Sequence, residues 1–153
     1  MADSSAPQFR RAVVALSGAR TDRPIVALAA EIAKVGHAEL VGVHVVEIDW
    51  TLPIDADVAS RSEDAQRVLD IAETTAEAAH YKGLETVLLQ ARDVGAAIVD
   101  EATERSADVI ICGLPFRRRF GGDFTIGGTI PYILKNAPCA VWVIREAIPE
   151  EHA

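Results

Sequence analysis

Five apolar runs alternate with four segments of helical periodicity along this chain, and that alternation leaves few folds open. Residues 12–16, AVVAL, are closed by Ser17-Gly18, and residues 38–48 form a longer apolar run; both read as buried strands. Between them Thr21 or Asp22 can cap a helix with Pro24 in its first turn. Ile25, Leu28, Ala29, Ile32 and Val35 follow at helical spacing, and Gly36 supplies the stop. Strand, helix and strand in that order make a crossover unit, which implies a parallel sheet with helices on its faces.

The pattern continues to the end of the chain. Residues 50–59, with Pro53 and two Asp, read as a loop, and Ser60 with Glu63 forms a capping box before a helix whose apolar seam is Ala65, Leu69, Ala72, Ala76 and Ala79. Gly83 ends it, and residues 84–91 read as the third strand. Asp93 can cap a third helix carrying Val94, Ala97, Ile98 and Ala102, and residues 107–112 make the fourth strand. A short helix over 129–136 leads through Pro138 into a fifth strand at 140–144. The expected fold is a doubly wound α/β domain: a five-stranded parallel sheet in order 3-2-1-4-5 with two helices on each face. Its ligand crevice belongs where strand order reverses, between strands one and four, bordered by residues 17–22 and 113–128.

A length of 153 residues suits one such domain over residues 9–146, between a disordered N-terminal tail at 1–8 and a C-terminal tail at 147–153. Alanine fills 26 positions and aromatic residues only 5%, so the core should be aliphatic, with helices lying close to the sheet. A net charge of -8 disfavours nucleic acid and anionic lipid as partners. No run approaches the ~18 apolar residues of a membrane span, and MADSSAPQFRR lacks the apolar core of a signal peptide. We expect a cytoplasmic protein without membrane insertion. Cys112 and Cys139 fall at opposite ends of neighbouring strands, on the order of 15 Å apart, too far to bridge; both should be buried free thiols. His37, His44 and His80 have no metal-ligand spacing, so no metal site is expected. Nor is there a nucleophile elbow, a zinc-protease helix or a Walker loop, and enzymatic activity is not expected.

One connection is unusually long. GLPFRRRFGGDFTIGGT, residues 113–129, holds five glycines where such loops ordinarily have about 2 to 6 residues. Glycines allow a ligand to approach backbone closely, and a helix start such as Thr129 is a ready anion site; the plainer reading is a surface loop whose glycines serve turns. Arg117, Arg118 and Arg119 form the chain's one basic cluster, in contrast to residues 39–77, which hold ten acids and two Arg. Their guanidinium forks suit phosphate oxygens. Glu47 and Asp49, at the end of strand two, read as solvated carboxylates, though an acid there can accept ribose hydroxyls in other dinucleotide folds.

Through AVVALSG, GVHVVEI, ADVIICG and GGTIPYILKNAPCAVWVIR the chain resembles the universal stress protein family over nearly its whole length. The resemblance implies a cytoplasmic homodimer, not a conventional enzyme, that holds ATP or a related adenine nucleotide without a tightly bound cofactor. It places phosphates and ribose along Gly113, Gly127, Gly128 and Thr129, and the base against the ends of strands one and two, here Ser17, Gly18 and Val46. Three departures modify the expectation. Phe116 stands where the family has its second glycine, the spacing from there to Gly128 is two residues too long, and Ser17 replaces an Asp. In this loop the chain is closer to universal-stress domains appended to amino-acid permeases, an analogy that implies a transporter partner. The expected function is weak adenine-nucleotide binding, with Arg117, Arg118 and Arg119 compensating for the altered loop. The alternative is an interaction module whose pocket is closed by Phe116 and which acts by dimerisation or by docking on a transporter. The apolar edge strand, Val141, Trp142, Val143 and Ile144, is the expected dimer interface.

Overall fold

The computed structural model describes residues 9–53, 59–116 and 126–148. The expected N-terminal tail at 1–8, residues 149–153 of the expected C-terminal tail at 147–153, and the cluster Arg117, Arg118 and Arg119 lie outside the described residues. The elements run β1 (Arg11–Leu16), α1 (Asp22–Gly36), β2 (Glu39–Glu47), α2 (Ala59–Ala78), β3 (Glu85–Ala91), α3 (Val94–Glu104), β4 (Val109–Leu114), α4 (Thr129–Asn136) and β5 (Ala140–Arg145). All five strands are parallel, in the order β3-β2-β1-β4-β5. The doubly wound sheet anticipated from the alternation is therefore the fold of this chain.

Alternation along β1 divides the core in two. Val14 and Leu16 face α1 and α2, where Ile25, Ala29, Leu69 and Ala72 cover them. Val13 points the other way, into a cluster with Val43, Ile98, Ile110 and Ile133 beneath α3 and α4. Because the central strands are buried on both faces, they need the near-continuous Val/Ile/Leu runs seen in the sequence. Phe9 closes the first cluster at the N-terminal side, with its ring edge-on to Trp142 of β5 at 5.8 Å.

Several local expectations shift. On α1 the buried residues include Ile25, Val26, Ala29, Ala30 and Ala33, whereas Leu28 is 44% and Val35 69% exposed. The alanines let the helix sit low on the sheet, and the bulkier Leu28 and Val35 are turned to its flank. His37, not Gly36, takes the left-handed cap conformation, with φ 52°. The second helix begins at Ala59, which puts Ser60 inside its first turn rather than at its cap, while Ala65, Leu69, Ala72 and Ala76 are buried as their spacing predicts. Asp93 does cap α3, accepting the Ala96 N–H at 3.0 Å.

The fourth strand runs two residues further than its apolar run implied, through Gly113 and Leu114, with Gly113 in register with Ile144. Gly113 is thus a strand residue, not the first residue of the loop. Cys112 is 2% exposed, but Cys139 is only partly buried, because it precedes β5 at the sheet margin. Both are free thiols, and Cys112 lies beside Val143, four residues past Cys139. No helix among the described residues is long and apolar enough to cross a membrane.

Candidate nucleotide cleft

The carboxyl ends of β1 and β4 separate as α1 leaves over one face and α4 covers the other. Between them opens a cleft of about 510 Å³, with Leu16 and Ser17 of the β1 exit, Val45 of β2, Cys112 of β4 and Gly127 to Ile130 among its walls. A second cavity of about 680 Å³ lies on the α2 side of β2 and takes in Val46, Asp64 and Arg67. Ser17, His44, Val45 and Glu47 border both.

The residues marked out by the sequence divide between these spaces. Gly113, Gly127, Gly128 and Thr129 line the α4-side cleft, Gly18 and Val46 only the α2-side cavity, and Ser17 both. Val46 is separated from the glycines because successive strand side chains point to opposite faces, which puts it in the α2-side cavity while Val45 borders both. Arg117, Arg118 and Arg119 lie outside the described residues.

The β1–α1 loop is closed by its own acid. Asp22, 5% exposed at the start of α1, accepts the Ser17 N–H at 3.0 Å and the Ser17 hydroxyl at 3.3 Å through one carboxylate oxygen, and the Gly18 N–H at 2.8 Å through the other. The Ser17 hydroxyl in turn accepts the Ala19 N–H at 3.2 Å. The backbone donors of Ser17, Gly18 and Ala19 are therefore engaged within the loop itself. Thr21, the N-cap of α1, makes no side-chain cap bond; its hydroxyl is packed against Gly113, where an added Cβ would lie 2.9 Å from both Thr21 Cβ and Oγ1. Gly113 is a glycine because α1 comes this close.

The α4 side is open. Gly127 has φ +78°, a conformation that favours glycine, and among the described residues an added Cβ on Gly127 or Gly128 would meet nothing within 4 Å. Phe116 does not fill the space: its N–H donates to the Glu146 carboxylate at 2.9 Å, and its ring lies 5.4 Å from the Arg145 guanidinium at the end of β5. Glu146 also pairs with Arg20 through two N–H donors, one at 2.9 Å, which raises the Arg20 pKa chiefly through the hydrogen bond. One carboxylate thereby ties the exit of β4 to the β1–α1 loop.

Other polar groups around the cleft have defined partners. His44 Nδ1 donates to the Leu16 carbonyl at 2.7 Å, which fixes the orientation of the ring. Asp49 accepts the N–H and hydroxyl of Thr51 at 2.8 and 2.9 Å, a local turn. Burial pushes the Cys112 thiol up to about 11, so this cleft-floor sulfur is a neutral, unreactive wall near neutral pH. Among the described residues, no cluster of three or more His, Cys, Asp or Glu could hold a metal ion. Sequence reasoning did not identify Asp22 as a loop-closing acid or Glu146 as a tie. For Asp22 a signal existed in its four- and five-residue spacing from Gly18 and Ser17; for Glu146, which lies 126 residues beyond Arg20, none did.

No curated protein matches the sequence. Solved structures with the same fold include the universal stress protein from Archaeoglobus fulgidus, at 21% identity over 89% of this chain and 98% of that one, with a TM-score of 0.74. A structure of the universal stress protein from Archaeoglobus fulgidus in complex with dAMP matches at 21% identity over 90% and 99% of the two chains, with a TM-score of 0.70. A universal stress protein in complex with cAMP matches at 20% identity over 90% and 98%, with a TM-score of 0.67. The family model described as Universal stress protein family covers residues 8–145, and this chain belongs to that family.

Proposed function

We propose that this chain is a non-enzymatic regulatory module of the cytoplasm that binds an adenine nucleotide, ATP, AMP or a cyclic nucleotide, in the α4-side cleft. The observation that carries the reading is the open glycine wall at the strand-order reversal: side-chain-free backbone at Gly127 and Gly128 beside Thr129, facing a cleft of about 510 Å³. Solved relatives of the same fold are complexes with cAMP and dAMP, which supports an adenine nucleotide as the ligand class. With the β1–α1 donors engaged by Asp22, fewer groups are left to read the base. Affinity is accordingly modest, roughly micromolar to millimolar, with Arg117, Arg118 and Arg119 contributing charge-assisted bonds of about 1.5 to 3 kcal/mol each. Calorimetric titration with ATP, AMP and cAMP tests this. Absence of heat at millimolar ligand overturns the nucleotide; binding unchanged when all three Arg become Ala overturns their role.

The second reading, an interaction module, draws support from β5. Among the described residues this strand is paired only with β4, and Val141, Trp142, Val143 and Ile144 are half-buried along it. A two-fold mate would cover such an apolar edge, and a transporter domain is the other candidate partner. Light scattering at micromolar concentration distinguishes them: a dimeric mass supports the strand-to-strand homodimer, and a monomeric mass removes it.

A further inference from the structure

Arg92, the residue after β3, is held unusually firmly for a surface arginine. Its Nη1 donates to the Asp49 carbonyl and its Nη2 to the Leu52 carbonyl, both at 2.8 Å. Its guanidinium carbon lies 5.0 Å from the centre of the Trp50 ring, which is itself 78% exposed. Arg92 also lines a cavity of about 280 Å³ together with Glu47, Val94, Gly128 and Thr129. Those last four residues line the α4-side cleft as well, so the smaller cavity is a side extension of it. Among the described residues lining the cleft and this extension, Arg92 is the one arginine or lysine.

We propose that Arg92 is a ligand-binding residue that takes the phosphate of a phosphorylated sugar in the side extension of the cleft, with Trp50 and the two carbonyls holding its guanidinium ready. An arginine has five N–H donors in a planar fork, of which the two carbonyl contacts use two. A side chain already immobilised loses little freedom when a ligand arrives. The acids sharing the extension narrow the class of ligand. Asp93 is engaged as the cap of α3, and the Glu47 carboxylate on the cavity wall would repel a bare polyanion while suiting ligand hydroxyls. A sugar phosphate, with hydroxyls beside its anion, suits that mixture. The inference rests on the nucleotide reading of the cleft and specifies which residue meets a phosphate.

The test is calorimetry of adenosine, AMP and ribose 5-phosphate on the wild type and on Arg92→Gln, Arg92→Lys and Trp50→Phe, with melting temperatures measured alongside. Arg92→Gln should weaken AMP and ribose 5-phosphate by about tenfold or more and leave adenosine within about twofold. Arg92→Lys should fall between, retaining charge but not the fork, and Trp50→Phe should cost the phosphates less than either. Equal losses for all three ligands would reduce Arg92 to a staple of the β2–α2 connection and overturn the proposal while the nucleotide reading stands. Ribose 5-phosphate that binds through Arg92 while adenosine and AMP add nothing would overturn the nucleotide reading alone. No binding of any of the three to the wild type at about 10 mM, an affinity of only some 3 kcal/mol, would overturn both.

Discussion

Gly113 in β4 and Gly128 at the N-cap of α4 lie on either side of one connection, yet they serve opposite purposes. An added Cβ on Gly113 would lie 2.9 Å from two atoms of Thr21, whereas on Gly128 it would meet nothing among the described residues within 4 Å. The same contrast runs through the walls they belong to. Where β4 passes α1, the space is filled by Thr21, and the nearby amides are bound by Asp22. Where α4 begins, backbone without side chains faces the cleft. The crevice therefore has a closed wall built for stability and an open wall available to a ligand, and a glycine's meaning depends on which wall holds it.

Asp22→Ala should have the largest effect on the closed wall. It leaves two backbone N–H groups and the Ser17 hydroxyl without their carboxylate, inside a loop that α1 shields. Hydrogen bonds to a charged group contribute about 1.5 to 3 kcal/mol each and unpaired buried donors add to the loss, so a destabilisation of about 3 to 4 kcal/mol is expected in urea unfolding. A loss under about 1 kcal/mol would mean that water replaces Asp22 and that the wall is not closed.

The floor beneath both walls is tested by alkali. The buried Cys112 thiol titrates near 11 in the folded chain against an ordinary 9.0, so the folded state holds its proton where the unfolded state has lost it. This contribution is complete below pH 9.0 and disappears as pH rises toward 11. A shift of about two units corresponds to roughly 3 kcal/mol. Unfolding midpoints measured from pH 8 to pH 11 should fall more steeply for the wild type than for Cys112→Ala; parallel curves would show that the sulfur is hydrated.

Gly113→Ala comes next. The new methyl is forced against a β-branched side chain that is itself 4% exposed, and overpacking of this kind costs about 1 to 3 kcal/mol. Pairing it with Thr21→Ala, which removes the Oγ1 that the new methyl meets, should recover part of the loss; no recovery would locate the clash elsewhere.

Much of the fold is legible because apolar runs and helical stripes alternate without interruption, and local signals such as Asp93 before α3 agree with that order. What escapes is geometry that depends on a second element. The rotation of α1 follows from how low three alanines allow it to sit, and the exit of β4 at Leu114 follows from pairing with β5, which a glycine in the strand obscures. In the cleft, Gly127, Gly128 and Thr129 are legible because positive φ and a helix start carry local signatures. Val46 is displaced from them by strand parity alone, since a one-residue offset changes the face. Glu146 and Arg92 act through contacts 30 to 126 residues away in the chain and leave no local pattern.

The smallest stability effect belongs to Gly128→Ala, and it is the sharpest test of the open wall. Gly128 is the N-cap of α4 with φ -109° and ψ -25°, values that alanine adopts without strain, and among the described residues the added methyl meets no atom within 4 Å. Alanine is a poorer cap than glycine, but it restricts the unfolded chain by a comparable amount; the balance should lie within about 0.5 kcal/mol. The methyl nevertheless projects from backbone that lines the cleft, where a ligand phosphate would have to approach most closely. Nucleotide affinity should fall several-fold while the melting temperature stays nearly constant. Gly113→Ala should show the reverse, with stability lost and affinity of the folded protein retained. If both variants lose stability and affinity together, the two walls are mechanically coupled and the division between scaffold and site does not hold.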